Sequence, residues 1–273
     1  MSDWHNPPAT TTADLEKAKQ AIAGEAPIME PPPAGDVTLF KGLFHEGRFQ
    51  RDAEVKELTG ADEEAIARAV AGNQEIGSYY NAVLVQGVVR IGGVYFAKYT
   101  PEECRIMLDS LLLGDKELLF VNVLKVTYGD ERTIVVTCPS CGKNNDVIYT
   151  LSDDVKMRSL DSDADEYVFT LRDGTRLDYR LFTGADQAES VRRRNITTAE
   201  QNTILLSRAI TQVGGRPLPD SFSFARDMGA SDRRRLLEEI QSKQPGPYFE
   251  EVKLPCASCV EPAVFKPTWA DLL

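Results

Sequence analysis

The chain has 273 residues and a net charge of -11, long enough to bury one large core or two ordinary ones, so folding need not rest on a metal alone. Its hydrophobic and charged fractions, 42% and 27%, exclude a wholly disordered chain, and no apolar run approaches the roughly 20 residues that span a bilayer. No basic-then-apolar leader opens the sequence, and the acidic balance opposes non-specific binding to nucleic acid, which needs surplus Lys and Arg. These features describe a protein that is cytosolic when made and whose partners are other proteins.

Residues 1 to about 35 are rich in Pro, Ala, Thr and Glu and end in Pro31-Pro32-Pro33-Ala34-Gly35. Such a stretch buries too little apolar surface to offset its ordering entropy, so it reads as an extended arm, with a short helix pattern over Ala13 to Ala23 between prolines. From Asp36 the pattern predicts two strands around His45-Glu46-Gly47, then a helix opened by Thr59 with Asp62, Glu63 and Glu64 at its positive end. Tyr79 to Phe96 fits a helix, a strand or both. Thr100 as N-cap and Pro101 at the first position start a helix through Leu111. Gly114 or Asp115 breaks that run before a second helix over Lys116 to Thr127.

The β-branched run Thr133 to Thr137 and the segment Asp146 to Leu151 predict a hairpin with Cys138-Pro139-Ser140-Cys141-Gly142 at its tip. A second hairpin is expected over Glu166 to Phe182, turning at Asp173-Gly174. Thr198 with Gln201 resembles a capping box, Ser231 an N-cap, and the helices they open end at Gly214-Gly215 and Pro245-Gly246-Pro247. A strand over Tyr248 to Leu254, a second knuckle at Cys256 and Cys259, and a last strand near Ala263 to Lys266 complete the pattern. The expected fold is α+β. A zinc-knuckle β element bridges distant segments, with helical subdomains and an extended N-terminal arm. Its divisions are a Pro-rich arm over 1–35, a mixed α/β region over 36–130, and a zinc-clasped β region over 131–273 with an inserted helical and β subdomain.

Two C-x-x-C pairs between strands offer four thiolates, Cys138, Cys141, Cys256 and Cys259, the donor set of a tetrahedral structural zinc site. The long separation between the pairs means that the ion would tie distant chain regions together. The second knuckle has Val260 and Glu261 where Gly142 and Lys143 follow the first. The alternatives are a redox pair or two disulfides, against which stand the missing strand-to-helix context and a reducing cytosol. Four thiolates leave no open position for water, so the site would be structural. Cys104 reads as a buried thiol on an apolar helix face.

Catalytic patterns are weak. Only His5 and His45 are present, which leaves little for histidine-based activation of a nucleophile. Asp161, Asp163 and Asp165 open like a calcium loop, yet Glu166 stands at the obligatory glycine and Arg172 at the bidentate glutamate. Arg192-Arg193-Arg194 and Arg233-Arg234-Arg235 are dense basic clusters, read either as helix-surface charge paired with Glu189, Glu238 and Glu239, or as a docking patch for an acidic partner or nucleic acid.

Several stretches together resemble the baseplate hub assembly chaperones and related baseplate proteins of contractile-tailed phages and phage-tail-like injection systems. They are Val37-Thr38-Leu39 with Gly42-Leu43, Ala53 to Glu64, Leu111 to Leu119, Val126 to Asp130, and the Cys138 to Gly142 knuckle. The resemblance is strongest before residue 151 and offers no catalytic residues. It implies a non-enzymatic role in building the baseplate, as a transient chaperone or a retained structural subunit, with other tail and baseplate proteins as partners in a large symmetric assembly. It also implies a place in the cytoplasm of the producing cell during assembly, or in the particle. The rival from another class is a zinc-ribbon adaptor that binds nucleic acid through the arginine clusters.

Overall fold

A computed structural model describes residues 34–71, 76–161, 164–192 and 196–272. The expected arm therefore lies outside the described residues except for Ala34 and Gly35, as do Asp163, Arg193 and Arg194. Residues 1–32 and 33–273 divide into two units, and the second holds everything that follows.

Strands β1 (Ala34–His45) and β2 (Arg48–Lys56) form the expected hairpin, extended well beyond its turn. Glu46 and Gly47 take φ of 50° and 78°, the left-handed pair that matches the twist of a tight hairpin. The register of β1 shifts between Thr38 and Leu43. At that bulge the N–H groups of Phe40, Lys41 and Gly42 all donate to the carboxylate of Asp115, at 2.5, 3.1 and 2.7 Å. Gly42 has φ of 86°, and a Cβ there would lie 2.1 Å from the carbonyl oxygen of Gln50. Only glycine fits that approach.

Helix α1 (Gly60–Val70) opens on a capping box between Thr59 and Asp62. The ambiguous stretch before Phe96 contains both kinds of element: α2 (Ile76–Gly87) runs into β3 (Val88–Ile91) and β4 (Val94–Tyr95), which complete a sheet of order β1-β2-β3-β4. After a short 3-10 turn comes α3 (Pro101–Ser110), started as expected by Thr100, here boxed with Glu103.

Helix α4 (Leu113–Tyr128) is the spine of the fold, burying Leu118, Leu119, Phe120, Val121, Val123 and Leu124. Its start corrects the sequence expectation, since Gly114 and Asp115 lie within its first turn instead of breaking the run. Backbone crowding accounts for the glycine, because a Cβ at Gly114 would sit 1.6 Å from the carbonyl oxygen of Pro245. At the other end the Arg132 guanidinium donates to the carbonyls of Leu124, Tyr128 and Gly129, satisfying acceptors that a helix terminus leaves open.

Strands β5 (Glu131–Thr137) and β6 (Asn144–Thr150) pair along their full length and carry the first knuckle at their tip. A four-residue helix, α5 (Leu151–Asp154), leads to β7 (Val155–Arg158). Then β8 (Tyr167–Thr170) and β9 (Arg176–Tyr179) form the second expected hairpin, with Gly174 at φ 87°. Helices α6 (Gly184–Arg192) and α7 (Thr198–Ala209) precede β10 (Ile210–Val213) and β11 (Arg216–Pro217), which extend that sheet in the order β11-β10-β9-β8. Two helices follow, α8 (Ser221–Asp227) and α9 (Ala230–Lys243).

Two caps differ from expectation. The box before α7 is Thr197 with Glu200, one residue earlier than Thr198 with Gln201, and the carboxylate suits the positive helix end better than an amide does. Helix α9 starts from Gly229 without a side-chain cap, so Ser231 lies inside it. The strand expected over 248–254 is two strands. β12 (Gly246–Phe249) pairs with β7, whereas β13 (Val252–Pro255) pairs with β14 (Pro262–Phe265). Alternation alone does not reveal a change of partner.

The result is the expected mixture of helix and sheet, with four cysteines joining distant segments. One hydrophobic core unites Leu39, Val55, Leu84, Ile91, Leu119 and Tyr149 with Ala263 and Leu272 near the C-terminus. The other gathers Phe169, Leu177, Tyr179, Leu206, Leu236 and Ile240. Beside the second core, fully buried Asp186 accepts two bonds from Arg180, at 2.6 and 2.9 Å, and one from Arg208 at 2.7 Å. Burial alone would raise its pKa, but these cations and the N–H of Thr183 outweigh that and hold it below the usual aspartate value.

Candidate metal centre

The tips of two hairpins, β5–β6 and β13–β14, bring Cys138, Cys141, Cys256 and Cys259 together, and all four sulfurs lie within 4.8 Å of one another. Each knuckle closes with the same backbone bonds. Gly142 N–H donates to Cys138 O and Cys138 N–H to Lys143 O in the first; Val260 N–H donates to Cys256 O and Cys256 N–H to Glu261 O in the second, all at 2.9 Å. The turn requires a left-handed residue at its end. Gly142 meets that at φ 70° without cost, whereas Val260 adopts φ 64° despite its branched side chain. The sequence difference between the knuckles is thus a difference in strain, not in shape.

Sulfur spacing tests the fit to a metal. Cys138 Sγ and Cys259 Sγ are 3.8 Å apart, and Cys141 Sγ and Cys256 Sγ 3.7 Å. A tetrahedron with Zn–S bonds of ~2.3 Å has edges of ~3.8 Å, so these cross-pair distances match the edges of a tetrathiolate zinc site. They are far beyond a disulfide bond of ~2.05 Å, and all five cysteines are free thiols.

Electrostatics point the same way. The N–H groups of Ser258 and Cys259 stabilise the Cys256 thiolate and bring its pKa down to about 6, and those of Cys141 and Ser140 lower that of Cys138. At Cys259 the N–H of Glu261 acts in the same direction, but burial and the bonds shared with Cys141, Cys138 and Cys256 prevail and push it up to about 12. The cluster therefore readies some sulfurs for ionisation yet resists four negative charges by itself. A dication bound among the four sulfurs would supply the missing compensation.

Sequence reasoning missed Asn145, which joins the two knuckles. Its Oδ1 accepts the N–H of Ala257 at 2.9 Å, while its Nδ2 donates to the carbonyls of Val136 and Lys143 at 3.3 and 3.2 Å. The available signal was its place on the inward face of β6, in line with buried Tyr149, where an apolar residue is the norm.

The remaining candidates lie elsewhere. Cys104 is buried on α3, its Sγ donating to Phe96 O at 3.5 Å, and burial raises its pKa. His45 is the last residue of β1, beside Glu46 of the turn, and Asp165 pairs with Lys41 at 2.5 Å. Arg233 donates to the carbonyls of Ala225, Arg226 and Ala199 and to Thr203 Oγ1. Arg234 pairs with Glu238, Arg235 with Asp232, and Arg192 with Glu189. Arg192 and Arg234 thus pair with Glu189 and Glu238 as the helix-surface reading expects, whereas Arg233 and Arg235 take other partners and Glu239 pairs with Lys243.

Residues 96–216 match the protein family described as T4 bacteriophage base plate protein. The match supports a phage baseplate protein family for this chain, in agreement with the resemblance of its N-terminal half. No curated protein and no solved structure matches it. The matched segment holds α3, α4 and the first knuckle; the second knuckle lies beyond it. The cysteine cluster thus brings a C-terminal hairpin against the family segment.

Proposed function

We propose that this chain is a non-enzymatic baseplate protein of a contractile tail or phage-tail-like injection system, acting through protein-protein contacts as a structural subunit or assembly chaperone. The observation that carries this reading is the family match over residues 96–216. Its partners are other tail and baseplate proteins within a symmetric assembly. It works in the cytoplasm of the producing cell during assembly, and in the particle if it is retained. Among the described residues, no helix is long and apolar enough to cross a membrane.

In this reading Cys138, Cys141, Cys256 and Cys259 hold one structural zinc ion. With four thiolates bound, the ion has no open position for water or substrate and contributes folding free energy instead of reactivity. It stiffens the junction between the two hairpins, so that neighbouring subunits meet one defined surface. The engagement of Arg192, Arg233, Arg234 and Arg235 within the chain weighs against the nucleic-acid adaptor.

Quantitative mass spectrometry of purified tail particles and of the producing cells, combined with deletion of the gene and counting of intact baseplates, tests the proposal. A fixed copy number in particles identifies a structural subunit. Absence from particles, with baseplates lost on deletion, identifies a chaperone. Absence with normal baseplates overturns the proposal.

A further inference from the structure

Strand β6 leaves one backbone edge of the first knuckle's hairpin open. Cys138 N–H donates to Lys143 O at 2.9 Å and Leu151 N–H to Asp130 O at 2.8 Å, so both of these facing pairs are hydrogen-bonded. In the register between them, Asn145, Val147 and Tyr149 are then the residues bonded to β5, opposite Val136, Ile134 and Arg132. The alternate residues Asn144, Asp146, Ile148 and Thr150 turn their N–H and C=O groups away from β5. Thr150 shows the direction, since its N–H donates to Asp154 Oδ2 at 2.7 Å. Among the described residues, the N–H groups of Asn144, Asp146 and Ile148 donate to nothing, and β6 has no strand neighbour but β5. This window is bounded by the cysteine knuckle at one end and by Asp154 at the other.

Several other edge strands are guarded. Pro217 ends β11, Pro247 lies within β12, Pro255 ends β13 and Pro262 opens β14, while Asp115 takes the N–H groups at the bulge of β1. Prolines and bulges keep a foreign strand from pairing. The β6 edge has no proline, and its outward face exposes Ile148 at 66%, beside Val135 of β5 at 58%. Asp146 stands on the same face, directly opposite Val135, and its exposed carboxylate has no ion-pair partner among the described residues.

We propose that this edge is completed by an extended strand of a partner protein, which sets a lysine or arginine opposite Asp146 and an apolar side chain opposite Ile148. The open backbone groups specify a strand, because a strand repeats its donors and acceptors with the spacing of Asn144, Asp146 and Ile148. Asp146 specifies the charge. A second copy pairing antiparallel by the same edge would oppose Asp146 with Asn144, Asp146, Ile148 or Thr150, and none of these is a cation. The inference deepens the baseplate reading and rests on it only for which protein supplies the strand.

The test is amide hydrogen exchange, read by nuclear magnetic resonance on the isotope-labelled full-length protein. The probes are the end-capped peptide Thr-Thr-Lys-Thr-Val-Thr-Thr and its counterpart with Glu in place of Lys. In the unbound protein the amides of Asp146 and Ile148 should exchange quickly and those of Val147 and Tyr149 slowly. The lysine peptide should bind with a millimolar Kd and slow exchange at Asp146 and Ile148, and the glutamate peptide should bind about tenfold more weakly. Ile148→Pro deletes an outward N–H and leaves the ladder to β5 intact, so it should keep the fold and abolish the binding. Asp146→Lys should reverse the preference between the peptides. Slow exchange at Asp146 and Ile148 in the unbound protein, a dimer that buries this edge, or no binding of the lysine peptide would each overturn the proposal. So would equal binding of the two peptides, undiminished binding by Ile148→Pro, or an unchanged preference in Asp146→Lys. Because the peptides act on the isolated protein, normal baseplates in its absence would refute the baseplate reading and leave this result standing.

Discussion

Replacing Val260 by glycine is expected to stabilise the protein, although the change deletes a hydrophobic side chain. Val260 holds φ 64° at the turn of the second knuckle, and a non-glycine residue there costs about 1–3 kcal/mol. Glycine removes that strain but adds about 0.4–1 kcal/mol of unfolded-chain entropy. The valine side chain is 76% exposed, so little burial is lost. The balance is a gain of about 1 kcal/mol. The reciprocal change, Gly142→Val, imposes the same strain on the first knuckle and is expected to cost about 1–3 kcal/mol. Urea unfolding at fixed free zinc gives both values, and the rate of zinc transfer to a chelator should fall in Val260→Gly and rise in Gly142→Val. A less stable Val260→Gly protein, or a Gly142→Val protein as stable as the parent, would refute the equivalence of the two turns.

Replacing Cys138 or Cys256 by serine should release zinc and destabilise the fold by several kcal/mol, read as metal content and melting temperature of each variant. Unchanged values in both would remove the metal from the account. Gly114→Ala should lose about 1–3 kcal/mol despite alanine's better helix propensity, since its Cβ would meet Pro245 O at 1.6 Å; a thermal melt with no loss would contradict the close approach. The pH dependence has two opposed parts. Glu117, raised from 4.5 to about 8, stays neutral in the folded chain while the unfolded chain ionises, so stability falls as pH rises through that window, and Glu117→Gln should flatten the fall. Asp186 is lowered from 3.8, so its contribution is present above that value and disappears as pH falls through its folded pKa, a loss that Asp186→Asn should remove from the acid limb of a denaturation curve.

What the sequence revealed was local. Thr59, Thr100 with Pro101, the Asp173-Gly174 turn and the C-x-x-C pairs announce their structures because the governing contacts lie within a few residues. Gly114 misled because its reason is the backbone of Pro245, far along the chain, and without that neighbour a glycine in a polar gap reads as a break. Asp115 was hidden likewise, its carboxylate serving three N–H groups of β1. At the cysteine cluster the donors were legible and their support was not: Asn145 acts across to Ala257, and the strain at Val260 appears only when the two turns are compared.

Native mass spectrometry of the full-length protein from tail-producing cells, with elemental analysis of the same sample, tests most directly the claim that the two hairpins are clasped by a metal. The expected result is one zinc ion per chain and no disulfide, with the metal lost from Cys256→Ser. A metal-free folded chain with four free thiols, or one that carries two disulfides, would contradict it.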